Sequence, residues 1–421
     1  MFIKLKRFFY FAVAWYFRIF AEVRLRAWCP KVVVITGSSG KTTLLHLVES
    51  QLGDKAKYSH HANSSIGIPF DILGLHRVTL TIWEWPSLFL KAPLRVFSSL
   101  PKEKIYIVEA DCDRPHEGRF LSSLLKPDIT LWTNVSRTHA VGFDYLVKRG
   151  LYQKVEEAIA FEFGYFAEQT KKLVIINGDD LLQEGELGRV SSEIKKTSVT
   201  KKLREYEITT KGTTFKFDDY IFNFKYLLPK EVADSILMVK ELVSYLDLKF
   251  DKNFSKFELP PGRSSLFKGI RNTTIIDSTY NANLGSVTAI INMFSCIRAK
   301  EKWIVIGDML ELGAEEKEEH EKLADLLVRQ RVEKIILMGP RVVRYTSPKL
   351  LKSKVDIVTF QRPKEVLDYL IDNIKGGETI LFKGARFLEG VIEKLLLDRK
   401  EASKLDRREK IWEIRRKKWG L

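Results

Sequence analysis

Short apolar runs alternate along the chain with longer segments in which apolar residues recur at helical spacing. The run over residues 32–35 precedes a glycine-rich turn, and it is followed at helical spacing by Leu44, Leu45, Leu47 and Val48. Further apolar runs, separated by helical segments, span residues 105–108, 129–132 and 173–176. Strands that alternate with helices predict a mostly parallel sheet with helices on both of its faces.

The pattern changes between residues 203 and 226, where polar and apolar residues alternate around Gly212. This alternation predicts an antiparallel hairpin, which we assign to the first domain. A helix over about residues 230–248 is expected to close that domain. The Pro-Pro-Gly run over residues 260–262 then marks a boundary.

A second series of apolar runs begins after this boundary. Its predicted strands span residues 274–277, 303–306, 334–338, 355–359 and 379–382. We therefore predict an α/β protein with a central domain over 31–258 and a second, Rossmann-like α/β domain over 259–398. Strand ends that meet at the seam between two such domains commonly form a ligand site, so we expect one there.

Composition places the chain among globular proteins. It has 421 residues, of which 45% are hydrophobic and 29% are charged, a balance typical of folded domains. This length calls for two or three domains. Its three cysteines, Cys29, Cys112 and Cys296, are far apart in the sequence and form no Cys-x-x-Cys pair. The chain is therefore not expected to hold a disulfide framework or a zinc ribbon, and a reducing compartment fits it best.

The formal net charge of +16 is concentrated at the two ends of the chain. Residues 1–31 hold seven Lys and Arg residues against one Glu, and residues 399–421 hold ten against four acidic residues. The body between these segments is nearly neutral. A nucleic-acid-binding body is therefore not expected, and the partners we predict are small molecules.

The N-terminal segment, residues 1–30, combines basic residues with an uncharged aromatic run over 8–17. Ten helical residues extend about 15 Å, half of a bilayer core, so a transmembrane span is disfavoured. A signal peptide is disfavoured too, because no clear small-residue cleavage site follows the aromatic run. Two interpretations stay open: a basic amphipathic helix on the inner membrane surface, or a helix packed on the protein. For the tail over 399–421 the options are a similar helix on the membrane surface or a solvated basic helix, and the second is favoured. The expected location is cytoplasmic, peripheral at the inner face of the membrane.

The turn after the first strand is typical of a P-loop, which holds a nucleotide phosphate. Its candidate cofactor-binding residues are Gly37, Ser38, Ser39, Gly40, Lys41, Thr42 and Thr43. Backbone N–H groups would turn toward phosphate oxygens, Lys41 would supply a charge, and the hydroxyl of Thr42 would reach Mg²⁺. Its Gly-x-x-Gly-Lys-Thr spacing is shorter than the full Walker pattern. An ordinary Gly-Ser turn with a surface lysine is the alternative interpretation.

Polar residues follow the next strands in the same way. Glu109 comes directly after the run 105–108, and Asn134 and His139 follow the run 129–132. A single polar residue at a strand end is often only a turn former. Three of them beside a phosphate loop instead predict a magnesium–nucleotide site.

Together these motifs resemble the Mur ligase family, the ATP-dependent amide ligases that build the peptide stem of bacterial cell-wall precursors. The motifs that carry the resemblance are 36–43, Asn63 with Gly67 and Pro69, Glu109, 134–139, 261–263, 277–283, 307–313 and 383–386. The last three motifs are most similar to the branch that adds D-alanyl-D-alanine to the UDP-muramoyl tripeptide. The resemblance runs from about residue 31 to about residue 398.

The resemblance implies that a substrate carboxylate attacks the γ-phosphate of ATP to give an acyl phosphate, which an amine then converts to an amide. In this scheme Lys41 holds the β/γ-phosphates, Thr42 and Glu109 hold a first Mg²⁺, and His139 lies near a second metal. By the same resemblance, Arg263 reaches the phosphates and the nucleoside is held by Asp277, Tyr280 and Asn281. The implied substrate contacts are Asn63, Asp308, Glu311, His320, Lys383 and Arg386.

The sequence also departs from the family pattern. Only some thirty residues precede the first strand, where family members carry a domain that binds the UDP group, and Phe163 aligns with the lysine that the family carbamylates to hold a second metal. Smaller departures are Ser64, Ser65, Leu284 and the lack of a His-Asn pair near 227–233. Three hypotheses follow: a ligase of peptidoglycan precursors, a related ligase or amidating enzyme acting on a lipid-linked or other non-UDP acceptor, and a nucleotide-binding membrane scaffold with impaired catalysis.

Overall fold

The computed structural model describes residues 2–60, 62–353, 355–384 and 387–421, with side chains from residue 9 onward. The chain divides into two compact units. Unit 1 consists of the residues up to 201 together with 234–258, and unit 2 consists of 202–233 together with 259–421.

Unit 1 contains a six-stranded parallel sheet of strand order β2-β3-β1-β4-β5-β6. Its strands are β1 (Lys31–Thr36), β2 (Ala56–Tyr58), β3 (Ile105–Glu109), β4 (Ile129–Trp132), β5 (Leu173–Asn177) and β6 (Glu193–Thr197). Its helices are α1 (Phe2–Trp28), α2 (Lys41–Leu52), α3 (Gly67–Leu73), α4 (Trp85–Arg95), α5 (Glu117–Leu125), α6 (Asp144–Lys148), α7 (Val155–Glu168), α8 (Leu181–Glu186), α9 (Val199–Lys202) and α10 (Val232–Tyr245). The predicted α/β architecture is confirmed for this unit.

Unit 2 contains a second six-stranded sheet, of order β10-β11-β15-β12-β13-β14, in which only β10 is antiparallel to its neighbour. A separate antiparallel sheet is formed by β7 (Leu203–Thr209), β8 (Gly212–Phe217) and β9 (Ile221–Phe224). The large sheet consists of β10 (Ser265–Lys268), β11 (Thr274–Ser278), β12 (Lys302–Gly307), β13 (Lys334–Met338), β14 (Asp356–Phe360) and β15 (Thr379–Lys383). The helices are α11 (Leu284–Cys296), α12 (Glu316–Val328), α13 (Ser347–Leu350), α14 (Pro363–Asn373), α15 (Leu388–Leu395) and α16 (Lys410–Lys418).

The small antiparallel sheet packs with a different unit from the one we expected. Ile208 of β7 lies in the same buried cluster as Phe294 of α11 and Ile276 of β11. The hydroxyl of Tyr206 donates to the carbonyl of Leu228 at 2.9 Å. The alternating pattern correctly predicted the strands, but it carries no information about which core covers their apolar face.

Helix α1 packs along unit 1 through one face. Phe17, Ala21 and Leu25 of this face are buried. Arg24 is buried as well, and its guanidinium donates to the carbonyls of Ile72, Arg95, Ser98 and Ser99 at 2.7–2.9 Å. This face of α1 therefore agrees with the second interpretation of the N-terminal segment, a helix packed on the protein. Among the described helices, none is both long and apolar enough to cross a membrane.

The basic tail is also partly packed, rather than fully solvated as expected. Arg416 of α16 is buried, and its guanidinium lies 3.8 Å from the carboxylate of Glu389 and 3.9 Å from that of Glu393. Arg407 donates to the carbonyl of Tyr280 at 2.6 Å. These cations are held by the acidic side chains and carbonyls of unit 2, which a charge count along the sequence does not reveal.

Candidate active site

The phosphate loop, residues 37–42, joins β1 to α2 and is held open by two glycines. Gly37 has φ +124°, and a Cβ there would lie 2.3 Å from the hydroxyl of Thr133, so only glycine fits. Gly40 has φ +82° at the start of α2. The N–H of Ser38 donates to the carbonyl of Asn134 at 2.9 Å. The loop is therefore preformed, with the N-terminus of α2 directed at the space that a phosphate would take.

The side chain of Asn134 supports this loop from the neighbouring strand. Its Oδ1 accepts from the N–H of Ser39 at 3.1 Å, and its Nδ2 donates to the carbonyl of Ser39 at 2.9 Å. The hydroxyl of Ser38 donates to the carbonyl of Ser136 at 2.9 Å. In this arrangement Asn134 shapes the loop that would hold the nucleotide.

Lys41 is buried and paired with an acid that the sequence did not point to. Its Nζ lies 2.8 Å from Oδ2 of Asp111 and donates to the carbonyl of Gly37 at 2.6 Å. Burial opposes the charge of Lys41, but Asp111 and Glu109 outweigh it and raise the pKa of this amine above its usual value. Burial would raise the pKa of Asp111, yet Lys41 and His139 lower it. Both groups are therefore charged at neutral pH.

Thr42 and Glu109 meet beside the loop. The hydroxyl of Thr42 donates to Oε2 of Glu109 at 3.0 Å, and the N–H of Glu109 donates to the hydroxyl of Ser59 at 2.9 Å. Glu109 is the last residue of β3, where the parallel register sets it beside Ile35 of β1. A hydroxyl and a carboxylate at this distance are oxygen ligands of the kind that Mg²⁺ prefers.

A second group of ligating side chains lies next to this pair. Nε2 of His139 is 3.2 Å from Oδ1 of Asp113, and one ligand atom from each of Asp111, Asp113 and His139 lies within 4.8 Å of the others. The N–H of Asp111 donates to the carbonyl of Asn63 at 2.8 Å, which brings the predicted substrate residue Asn63 to the same place. Two carboxylates and an imidazole fit a divalent cation.

Unit 2 brings together Arg263, Tyr280 and Asp277 from the predicted nucleotide-binding set. The guanidinium of Arg263 lies 3.6 Å from the ring centroid of Tyr280, a cation–π contact. Tyr280 and Asn281 are exposed, whereas Asp277 is fully buried. Burial raises the pKa of Asp277. Its Oδ1 accepts from Thr279, and its Oδ2 has no hydrogen-bond partner within the described ranges.

Lys383 ends β15 close to this group. It is buried, and its Nζ lies 3.5 Å from the hydroxyl of Ser278. Burial and the charge of Arg263 lower the pKa of Lys383 to about 7. An amine with such a pKa changes its charge near neutral pH, which structural lysines on protein surfaces do not do. The neighbouring substrate candidate Arg386 lies outside the described residues.

Comparison with known protein families accounts for most of the chain. The model for the Mur ligase middle domain matches residues 35–229, and the model for the Mur ligase, glutamate ligase domain matches residues 262–386. The chain belongs to the Mur ligase family.

Similar proteins and structures point to one branch of the family. The UDP-N-acetylmuramoyl-tripeptide–D-alanyl-D-alanine ligase of Borreliella burgdorferi is 24% identical over 85% of this chain and 72% of its own length. The enzyme of that name from Bacillus subtilis is 23% identical over 89% of this chain and 78% of its own length. The crystal structure of MurF ligase from Thermotoga maritima in complex with ADP covers 95% of this chain and 84% of its own, with a TM-score of 0.71 and 21% identity. The fold of this Mur ligase is thus the MurF fold.

Phe163, which aligns with the family's carbamylated lysine, cannot ligate a metal in this Mur ligase. The ring of Phe163 is fully buried, 6.4 Å from that of Trp132 in the core of unit 1, and offers no ligand to a cation. The preceding residue, Glu162, accepts from the N–H groups of His116 and Gly118 at 2.7 and 3.0 Å. Burial raises the pKa of Glu162 to about 7. At this point of α7, therefore, the chain supplies a core ring and a carboxylate that caps α5.

Two predicted substrate residues, Asp308 and His320, form hydrogen bonds with nearby backbone groups. Asp308 accepts from the N–H groups of Arg341 and Val342 at 3.0 and 2.9 Å. His320 is fully buried, with Nδ1 2.7 Å from the carbonyl of Glu316 and Nε2 accepting from the N–H of Met309 at 3.3 Å. Glu311, in contrast, is exposed, with φ +62°.

Sequence reasoning missed Asp111 and Asp113, although both follow the strand that ends in Glu109. The signal was present in the acidic spacing Glu-x-Asp-x-Asp over 109–113. In the structure, this spacing sets Asp111 beside Lys41 and Asp113 beside His139. The end of β3 and the loop after it thus contribute three carboxylates to the site rather than one.

Proposed function

We propose that the chain is an ATP-dependent amide ligase of cell-wall precursor synthesis, which joins an amino acid or a dipeptide such as D-Ala-D-Ala to the carboxylate of a muramoyl peptide. The observation that carries this proposal is the preformed phosphate loop with Lys41 held between the Gly37 carbonyl and Asp111. The similar D-alanyl-D-alanine ligases support the choice of substrates.

Two displacements make up the proposed reaction. An oxygen of the acceptor carboxylate attacks the γ-phosphorus of ATP, the bond to the β-phosphate breaks, and ADP leaves. The nitrogen of the incoming amine then attacks the acyl carbon to give a tetrahedral intermediate. Phosphate leaves with its electron pair, and the nitrogen loses a proton, so that an amide, ADP and phosphate are formed. Such chemistry needs positioning and charge neutralisation more than a nucleophile from the protein.

We assign the phosphate-binding roles to residues of unit 1. Lys41 would bind the β/γ-phosphates, exchanging part of its contact with Asp111 for them. Thr42 and Glu109 would hold one Mg²⁺, while Asp111, Asp113 and His139 would hold a second. Mg²⁺ bound there would neutralise the charge that builds up on the transferring phosphoryl group. In this assignment Asp113 supplies the carboxylate that Phe163 cannot.

The nucleoside and the second substrate are assigned to residues 259–398, which we propose as the C-terminal ligase domain; the proposed central domain spans residues 31–258. Arg263 would bind phosphate oxygens, and Tyr280 and Asn281 would contact the nucleoside. The buried Oδ2 of Asp277 is an acceptor for a donor group of that nucleoside. Lys383, with a pKa near neutrality, is suited to contact the incoming amine or its carboxylate.

A phosphate-release assay tests this proposal. Purified protein with Mg²⁺ and ATP should release phosphate only when both D-Ala-D-Ala and a muramoyl-tripeptide acceptor are present. The acceptor is supplied in UDP-linked and lipid-linked forms, so that selective turnover of one form identifies its carrier. ATP binding with no phosphate release on either acceptor would contradict the ligase and favour the impaired scaffold.

The expected location is cytoplasmic and peripheral at the inner face of the membrane. The buried Arg24 and Phe17 show that one face of α1 is not available for such a contact. A peripheral location therefore requires the outer face of α1 or another surface of the protein.

A further inference from the structure

The segment over residues 78–100 exposes an unusual number of large apolar side chains. Eight of them are at least two-fifths exposed, and Trp83 and Phe97 reach 84% and 88%. The eight are Val78, Leu80, Ile82, Trp83, Leu90, Leu94, Phe97 and Leu100. They make up a third of all large exposed apolar side chains among the described residues, in 23 of the 421 positions. We call this segment the apolar ledge. Apolar patches of this kind mark binding surfaces.

The tip of the ledge has a defined conformation. The carboxylate of Glu84 accepts from the N–H groups of Val78 and Thr79 at 2.7 and 2.8 Å. These bonds fold residues 78–84 into a closed turn, which presents Ile82 and Trp83 to solvent. The exposure of the two side chains is therefore built into the turn.

Helix α4 of the ledge is amphipathic. Its inner face contributes Leu88, which is buried, and Phe89, whose ring stacks on that of Phe17 at 5.0 Å. Its outer face carries Leu90 and Leu94, both at least 70% exposed. The hydroxyl of Tyr16 in α1 also donates to the carbonyl of Phe89 at 2.8 Å.

Arg24 fixes the far end of the ledge. Its guanidinium donates to the carbonyls of Arg95, Ser98 and Ser99, at the C-terminal end of α4 and just after it. Arg24 thus anchors the ledge to the rest of unit 1. A partner bound to the ledge would be held rigidly to the unit that contains the phosphate loop.

The charges around the ledge identify its partner. Lys91 and Arg95 are exposed on α4, and Lys102 and Lys104 are exposed just beyond it. Of the two acids in this stretch, Glu84 is already bonded within the tip, and Glu103, between the two lysines, is half-buried. Protein interfaces are depleted in lysine, whereas aromatic and aliphatic side chains flanked by Lys and Arg are typical of helices bound to anionic lipid.

We propose that the apolar ledge docks on the surface of an anionic lipid bilayer, with Trp83, Leu90, Leu94 and Phe97 inserted at the headgroup boundary. This inference rests on the peripheral location given under the proposed function, and it assigns that location to the ledge rather than to the basic N-terminus. A protein held in this way would work beside lipid-linked acceptors.

Vesicle co-sedimentation tests the proposal with the full chain. Vesicles of phosphatidylcholine alone and of phosphatidylcholine with phosphatidylglycerol are compared. The protein should bind the second kind, and added salt should weaken this binding. The double variant Trp83→Ser/Phe97→Ser should lower the partition coefficient about tenfold or more. The control, Leu181→Ser/Leu351→Ser, removes two exposed apolar side chains elsewhere, 82% and 69% exposed, and should bind as the unchanged protein does.

Three results would overturn the proposal: no binding to anionic vesicles, equal loss in the matched control, or a dimer in solution that the Trp83→Ser/Phe97→Ser change dissociates. The same preparations are assayed for phosphate release on the UDP-linked acceptor. If the Trp83→Ser/Phe97→Ser variant no longer binds vesicles but keeps its turnover, the ledge is separate from the ligase function. If the unchanged protein shows no turnover, the result counts against the ligase function and leaves the ledge proposal standing.

Discussion

The variant Lys41→Ala is expected to lose ADP formation almost completely, with kcat/KM lowered about a thousandfold. Lys41 is the single cation that the structure holds inside the phosphate loop, 2.8 Å from Asp111. Without Lys41, the loop has no positive side chain to neutralise the negative charge on the transferring phosphoryl group. Acceptor-dependent ADP release, measured at saturating Mg²⁺ and ATP, gives this value directly.

Two companion variants make the Lys41 result interpretable. Lys55→Ala removes an exposed lysine of unit 1 and should leave turnover unchanged. Because Lys41→Ala leaves Asp111 buried without its cation, the single variant can lose stability. The double variant Lys41→Ala/Asp111→Asn removes that unpaired charge and should fold without regaining activity. Turnover within tenfold of the unchanged protein in either Lys41 variant would contradict the assigned role.

The variant Asp113→Asn is expected to raise the Mg²⁺ concentration needed for half-maximal turnover about tenfold and to lower kcat up to about a hundredfold. The structure places Oδ1 of Asp113 3.2 Å from Nε2 of His139, with Asp111 in the same group. Replacing the carboxylate by an amide removes one negative charge from this proposed second cation site. Steady-state rates over a Mg²⁺ series measure both quantities.

A direct count of bound cations tests the same site without turnover. With Mn²⁺ as the probe and a non-hydrolysable ATP analogue present, paramagnetic resonance should report two bound ions in the unchanged protein and one in Asp113→Asn. Asp54→Asn, at an exposed carboxylate of unit 1, is the matched control and should keep two. Two tightly bound ions in Asp113→Asn would contradict the assignment.

The parts that sequence predicted well are those that depend on local pattern. Nine of the twelve strands of the two large sheets follow from apolar runs of four or five residues, because strands buried on both faces are mostly apolar. The pattern missed β2, β6 and β10, which are edge strands with polar residues or only three residues. The phosphate loop follows from Gly37 and Gly40, since positive φ at both positions requires glycine. Glu109 was found because it ends a strand beside that loop.

The parts that sequence could not predict depend on contacts between distant segments. Asp111 and Asp113 lie in a loop, where no periodicity tells which way a side chain points. His320 was assigned to the substrate by resemblance, and the sequence did not show that it is buried in α12, with the carbonyl of Glu316 and the N–H of Met309 as its hydrogen-bond partners. The small antiparallel sheet belongs to unit 2 because its apolar face packs in the buried cluster around Phe294. Charge counts likewise did not show that Arg24 and Arg416 are buried in the units.

The transfer of an oxygen atom from acceptor to phosphate tests the central claim most directly. A muramoyl-tripeptide acceptor labelled with ¹⁸O in its reacting carboxylate is incubated with ATP, Mg²⁺ and D-Ala-D-Ala, and the released phosphate is analysed by mass spectrometry. An acyl phosphate intermediate predicts one ¹⁸O in each phosphate, together with a product heavier by the dipeptide. Unlabelled phosphate would show that water rather than the carboxylate attacks ATP, and it would contradict the account.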